Sequence, residues 1–138
     1  MKTSELIGPA LDWTVAKCEG REILSFLGGG ILVNGRYESG SEIPTELGFN
    51  YMWHPSTDWT QSGPIIEREK IWWSDNDDAT SDQDIWWCLS TRDAITGEAQ
   101  GLSEQVEGLG PTLLIAAMRC YVASKLGDEV EVPDELKE

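Results

Sequence analysis

The sequence contains a single histidine, His54, and that scarcity removes several chemistries at once. No second imidazole is available as a metal ligand or proton relay, and H-E-x-x-H is absent. G-x-S-x-G and the phosphate-loop patterns are missing as well; Gly28-Gly29-Gly30 matches none of them and reads as a turn or bulge. Cysteine is sparse. Cys18, Cys88 and Cys120 are far apart, odd in number and set among apolar neighbours, which points to buried free thiols in a reducing compartment. Positive charge is scarce too: 10 Lys and Arg stand against 25 Asp and Glu, for a net charge of −15. Such a surface repels nucleic acid and anionic membrane, so direct nucleic-acid binding is excluded as a main function. The longest strongly apolar run, residues 113–118, is too short to cross a bilayer, and the start MKTSELIGPALDW lacks a signal-peptide core. A soluble cytosolic protein without metal or cofactor is expected.

What the sequence does contain is enough for one domain over residues 1–138, with an acidic tail at about 128–138. Its organising stretch is HPSTDWTQSGPIIEREKIWW, residues 54–73. Ser56, Thr57 and Asp58 form a polar cluster of the kind that caps a helix. Gly63-Pro64 predicts a helix over 64–70, because proline suits the first helical position. Ile71-Trp72-Trp73 predicts a strand, and residues 85–89 a second. Adjacent strand residues point to opposite faces, so each Trp-Trp pair puts one indole on each side, which suits a sheet covered on both faces. A first helix is predicted over 6–19, with Leu11, Val15 and Cys18 on one stripe and Gly20 as its stop. Asn34-Gly35 predicts a hairpin turn between 31–33 and 36–38. Residues 91–109 read as a loop with a helical turn at 103–107. Residues 111–126 form the strongest helix, apolar nearly all round and therefore buried on more than one side. Asp75–Asp84 holds five aspartates in ten residues. Its spacing opens like a calcium loop, but Thr80 stands where glycine is needed and Trp86 where glutamate is needed, so a solvated loop is expected.

Three blocks carry a resemblance: TSELIGPALDWTVAKCEG, HPSTDWTQSGPIIERE and GPTLLIAAMRCYVASKLGDEVEVPDEL. Together, and in this order, they resemble the NinX-like proteins of tailed phages. The middle block departs at Thr60 and Ser62, where that family usually has Ala and Gly. The resemblance implies an accessory phage protein in the cytoplasm of the bacterial host and an α-β-α sandwich. It implies no catalytic residues. The fold expected is accordingly α+β, a single-domain α-β-α sandwich with a small, largely antiparallel sheet.

The candidate ligand-binding residues are Ser56, Thr57, Asp58, Trp59, Gly63 and Arg119. The free N–H groups of a helix beginning at Gly63-Pro64 favour an anion. Ser56 and Thr57 add hydroxyls, and Trp59 offers a ring for stacking, with Tyr51 and Trp53 upstream to extend an aromatic wall. Arg119, flanked by Ile115, Val122 and Leu126 on its helix, has a guanidinium suited to carboxylate or phosphate. These point to non-enzymatic binding, with sequestration of a small anionic, nucleotide-like host signal as an anti-defence role. Two alternatives stay open: an acidic protein antagonist or DNA mimic acting on a host protein, and a hydrolase using Asp58 and Glu67. The oligomeric state is also open, a homo-oligomer included.

Overall fold

The computed structural model describes residues 1–27, 30–34, 51–77, 79–90 and 106–136. After a short 3-10 turn at Thr3–Glu5, α1 spans Gly8–Glu19, β1 Ile23–Leu27, β2 Gly30–Val33 and β3 Tyr51–Trp53. Then come α2 at Trp59–Glu69, β4 at Trp72–Asp75, β5 at Trp86–Ser90, β6 at Val106–Gly110 and α3 at Leu113–Leu126. The class is α+β, as expected. The strands form two three-stranded antiparallel sheets, β1-β2-β3 and β4-β5-β6, rather than one.

α1 starts with Pro9 in its first turn and stops at Gly20, whose φ of +72° is the left-handed cap that glycine adopts without strain. Leu11 and Val15 are fully buried, and half-buried Trp13 carries Lys17 over its ring at 5.8 Å. In the first sheet Ile31 lies opposite Trp53, and Ile31, Val33 and Trp53 form its buried face against α1. Both edges of β2 are in use, by β1 and β3. The triple glycine's first two residues, the Asn34-Gly35 turn beyond Asn34, and residues 36–50 lie outside the described residues.

α3 organises the rest. Thr112 caps it through a hydrogen bond from the Ile115 N–H, and residues 114–122 are buried without a break. It packs on β5 and β6 and also against α1 and α2, as an all-round apolar helix must. The contact with β6 is backbone against backbone. A Cβ on Gly108 would run into the Ala116 carbonyl oxygen and stand 2.7 Å from the Cys120 nitrogen, and one on Gly110 would stand 2.9 Å from the Ala116 nitrogen. Residues 106–110 are thus a strand, where a loop and a helical turn were expected. Glycine there permits close packing rather than flexibility.

Three further expectations change. α2 begins at Trp59, not at Pro64, because Asp58 caps it: the Asp58 carboxylate accepts from the Thr60 N–H at 2.9 Å and the Thr60 hydroxyl at 2.6 Å. Pro64 therefore sits inside the helix. Trp72 and Trp73 are not core: β4 is the end strand of its sheet, α3 packs on β5 and β6, and all four β4 residues are exposed. The acidic segment after α3 is stitched down where it begins. The Thr3 N–H donates to Asp128 O, Met1 and Val130 exchange two bonds, and Val130 and Val132 are buried. Among the described residues no helix is long and apolar enough to cross a membrane.

Two glycine substitutions test this packing in opposite directions. Gly108→Ala must displace the α3 backbone and is expected to destabilise by about 3 kcal/mol or more. Gly63→Ala, with open space around its Cβ and an ordinary helical φ, is expected to stabilise by about 0.5–1 kcal/mol. Urea unfolding of the two variants checks both; equal effects would contradict the close α3–β6 contact.

Candidate functional site

The six residues singled out from the sequence do not come together. Ser56 is buried, and its backbone N–H donates to the Asp12 carboxylate of α1 at 2.9 Å. Exposed Thr57 closes a turn on the carbonyl of His54. Asp58 is occupied at the start of α2, where the hydroxyl of Thr60 above all holds its carboxyl below the ordinary carboxylate range. Gly63 lies within α2 and offers no free helix N-terminus. Trp59 and Gly63 face an apolar hollow with Trp72 and Trp73. Arg119 lines a different hollow, beside Lys2, Thr3 and Asp128. Its guanidinium is buried and donates to two backbone carbonyls, Leu6 O at 2.7 Å and Leu109 O at 2.8 Å. It ties the N-terminal segment and β6 to α3, where a carboxylate partner or an anionic ligand was expected.

The residues that do converge form a cleft of about 620 Å³, within the range of small-molecule sites. The end of α1 contributes Cys18, Glu19 and then Arg21; β3 contributes Tyr51 and Trp53. On α2 the lining residues Thr60, Pro64 and Arg68 recur every fourth position, which puts them on one stripe. Tyr121 and Lys125 repeat that spacing on α3. Each of the three blocks that carry the family resemblance supplies part of this wall.

The wall is charged and closely wired. Arg68 meets the Glu19 carboxylate with both terminal nitrogens, at 3.2 and 2.6 Å, a bidentate pair. The Tyr121 hydroxyl also donates to Glu19, and burial first, then that carboxylate, raises its pKa, so it remains a donor. The Arg68 Nε reaches Glu69 at 2.8 Å, and Lys125 reaches the other Glu69 oxygen at 3.4 Å. Burial pushes the Glu69 carboxyl up, but Arg68 and Lys125 outweigh it and hold the group below its ordinary range. Arg21, Arg68 and Lys125 against Glu19 and Glu69 leave the lining at +1, in a chain whose total is −15. The Arg21 guanidinium lies 4.9 Å from the Trp53 ring centre, and Tyr51 meets Trp53 edge to face at 6.5 Å. Trp53 is buried, and its indole N–H has no acceptor among the described residues.

Tyr51 and Trp53 do form an aromatic wall, but Trp59 faces away from it. Glu19, Arg68, Tyr121 and Lys125 escaped sequence reading because their contacts span 49 to 102 positions. The available signal was the four-residue spacing of polar groups, above all Tyr121 and Lys125 on an otherwise apolar helix. Asp12 escaped too, although a lone acid between Leu11 and Trp13 was visible. The three cysteines form no disulfide, and burial pushes the Cys18 and Cys88 thiols up to about 12, which leaves those two unreactive at neutral pH. Asp84 directs its carboxylate at its own turn, accepting from the Ser81 N–H at 3.0 Å. Asp58 and Glu67 stand at opposite ends of α2, roughly 13 Å apart along its axis, too far to act on one small substrate.

Asp12 generates a pH test. Burial drives its carboxyl from the ordinary 3.8 up to about 6, against the opposing pull of the Ser56 hydrogen bond. The folded state therefore holds this proton more tightly than the unfolded chain does. The resulting stabilisation is complete below about pH 4 and is lost as pH rises through about 6. Asp12→Asn stays neutral and keeps an oxygen for the Ser56 N–H. Relative to wild type it is expected to gain on the order of 2 kcal/mol between about pH 4 and pH 7. Urea unfolding at a series of pH values measures the difference, and a constant offset would show that Asp12 does not titrate in this range.

The chain matches the family model described as NinX of bacteriophage P22 over residues 2–125, a span that contains every residue described on the cleft wall. No curated protein matches it.

Proposed function

The chain belongs to the bacteriophage P22 NinX family, and from that premise we propose that this phage accessory protein works by non-enzymatic binding in the cytoplasm of its bacterial host. The ligand site in this reading is the cleft between α1, α2, α3 and β3. Its ligand is a small anion with a planar ring and a hydrogen-bond acceptor, of the nucleotide-like kind, and sequestering such a host signal is an anti-defence role.

The observation that carries the reading is a net-cationic, aromatic-walled cleft in a strongly acidic protein. Arg21, Arg68 and Lys125 supply positive charge where the rest of the surface repels an anion. Tyr51 supplies a partly exposed ring to the same cleft. The carboxylates of the lining, Glu19 and Glu69, are held in ion pairs, which favours binding over turnover.

A thermal-shift screen against mono-, di- and cyclic nucleotides tests this. A ligand at 100 times its Kd stabilises by about 2.7 kcal/mol, on the order of 10 °C for a chain of this size. Arg21→Gln removes a cation from the cleft wall, and is expected to weaken binding roughly tenfold. Arg119→Gln, remote from the cleft, is expected to lower stability without abolishing the ligand-induced shift. The absence of a shift with every nucleotide, or one insensitive to Arg21→Gln, would sink the reading.

A further inference from the structure

We propose that β4 is a self-association edge, at which a second copy of this chain adds its own β4 antiparallel and joins two three-stranded sheets into one of six. The inference is independent of the ligand cleft. β4 ends its sheet: β5 pairs with one side, and the other side has no strand partner among the described residues. Exposed, apolar edge strands are templates for pairing with another chain; Trp72–Asp75 contains neither proline nor lysine, and its one charge, Asp75, stands at the end of the strand.

The tryptophans define what fits. Trp72 is 67% exposed and Trp73 50% exposed, yet neighbours in a strand point to opposite faces. Both also border the hollow lined by Ile66 and Ile71, so the exposed apolar surface is gathered along β4. A strand added at the edge, bringing its own pair of indoles, reaches both faces together. Trp59, 52% exposed, borders the same hollow. The three indoles expose roughly 400 Å². That is about half of what one side of a standard interface buries, before the backbone of the added strand is counted.

Charge selects a second copy over a basic partner. The hollow is bordered by Glu67 and Lys70, so it is neutral within a chain of −15. A basic protein is drawn instead to Asp75–Asp84. Two copies approach with least repulsion where each is neutral. A two-fold axis centred on Trp73 sets Trp73 against its symmetry mate and Trp72 opposite Ser74, with the two Asp75 carboxylates on opposite sides of the axis. Parallel pairing in register would place Asp75 against Asp75, which costs stability.

Sedimentation equilibrium of the full chain across a concentration series, at low salt and at about 0.5 M salt, tests the proposal. Wild type is expected to dimerise, more tightly at high salt, where the repulsion between two net charges of −15 is screened. Trp72→Ser/Trp73→Ser is expected to stay monomeric while keeping the wild-type circular dichroism spectrum, since both side chains are exposed. A second variant, Trp59→Ser, leaves β4 intact and is expected to weaken the dimer without abolishing it. Wild type monomeric under every condition, a dimer that survives loss of both indoles, or association only with an added basic protein would each overturn the proposal.

Discussion

The fold depends on one close approach, the backbone of α3 laid directly on the backbone of β6 at Gly108 and Gly110. With no side chains between them, helix and strand stand closer than a packed pair of side chains allows. That brings the Arg119 guanidinium within reach of Leu109 O on β6 and of Leu6 O before α1. A buried cation is costly unless its hydrogen bonds are met. Here two carbonyls meet them, and burial lowers its pKa. The N-terminal segment is thus fixed to the centre of the molecule and can clasp residues 127–130 through Met1 and Thr3.

Placing α1 in this way places the cleft. Asp12 holds the Ser56 N–H, so the loop before α2 is pinned to α1 at a buried point. Asp58 then launches α2 in a direction that carries Arg68 to Glu19 and Tyr121. The bidentate Arg68–Glu19 pair closes a path from the end of α1 through α2 to the end of α3. The cationic lining is a product of this assembly: no single segment of the sequence is basic, and the three cations come from three different places in the chain.

This is also why the fold was more legible than the site. α1 and α3 announced themselves because an apolar stripe, a long apolar run and the Gly20 stop are local signals, and the strands at 72–75 and 86–90 because apolar runs are local too. Pro64 misled because two local rules competed for one helix start, and the Asp58 cap prevailed six residues earlier. Gly108 and Gly110 read as loop because their partner, Ala116, is known to be adjacent only once α3 is packed. Trp72 and Trp73 read as core because their position at the end of a sheet is a property of topology, not of composition. Arg119 was rightly picked out as anomalous, but its partners are backbone carbonyls, which carry no side-chain signature.

α2 ends as the element with the most to do. Its eleven residues divide into three faces. Ser62, Ile65 and Ile66 enter the core; Thr60, Gln61, Pro64, Arg68 and Glu69 line the cleft; Trp59, Gly63 and Glu67 border the apolar hollow beside β4. A helix is a stiff rod over three turns, so a displacement imposed on one face is felt on the others. A ligand that repositions Arg68 relative to Glu19 moves the same backbone that carries Trp59. The proposed ligand site and the proposed self-association edge are therefore joined by one rigid body, and any free-energy coupling between them must be reciprocal: if a second copy at β4 tightens the cleft, a ligand in the cleft tightens the dimer by the same factor.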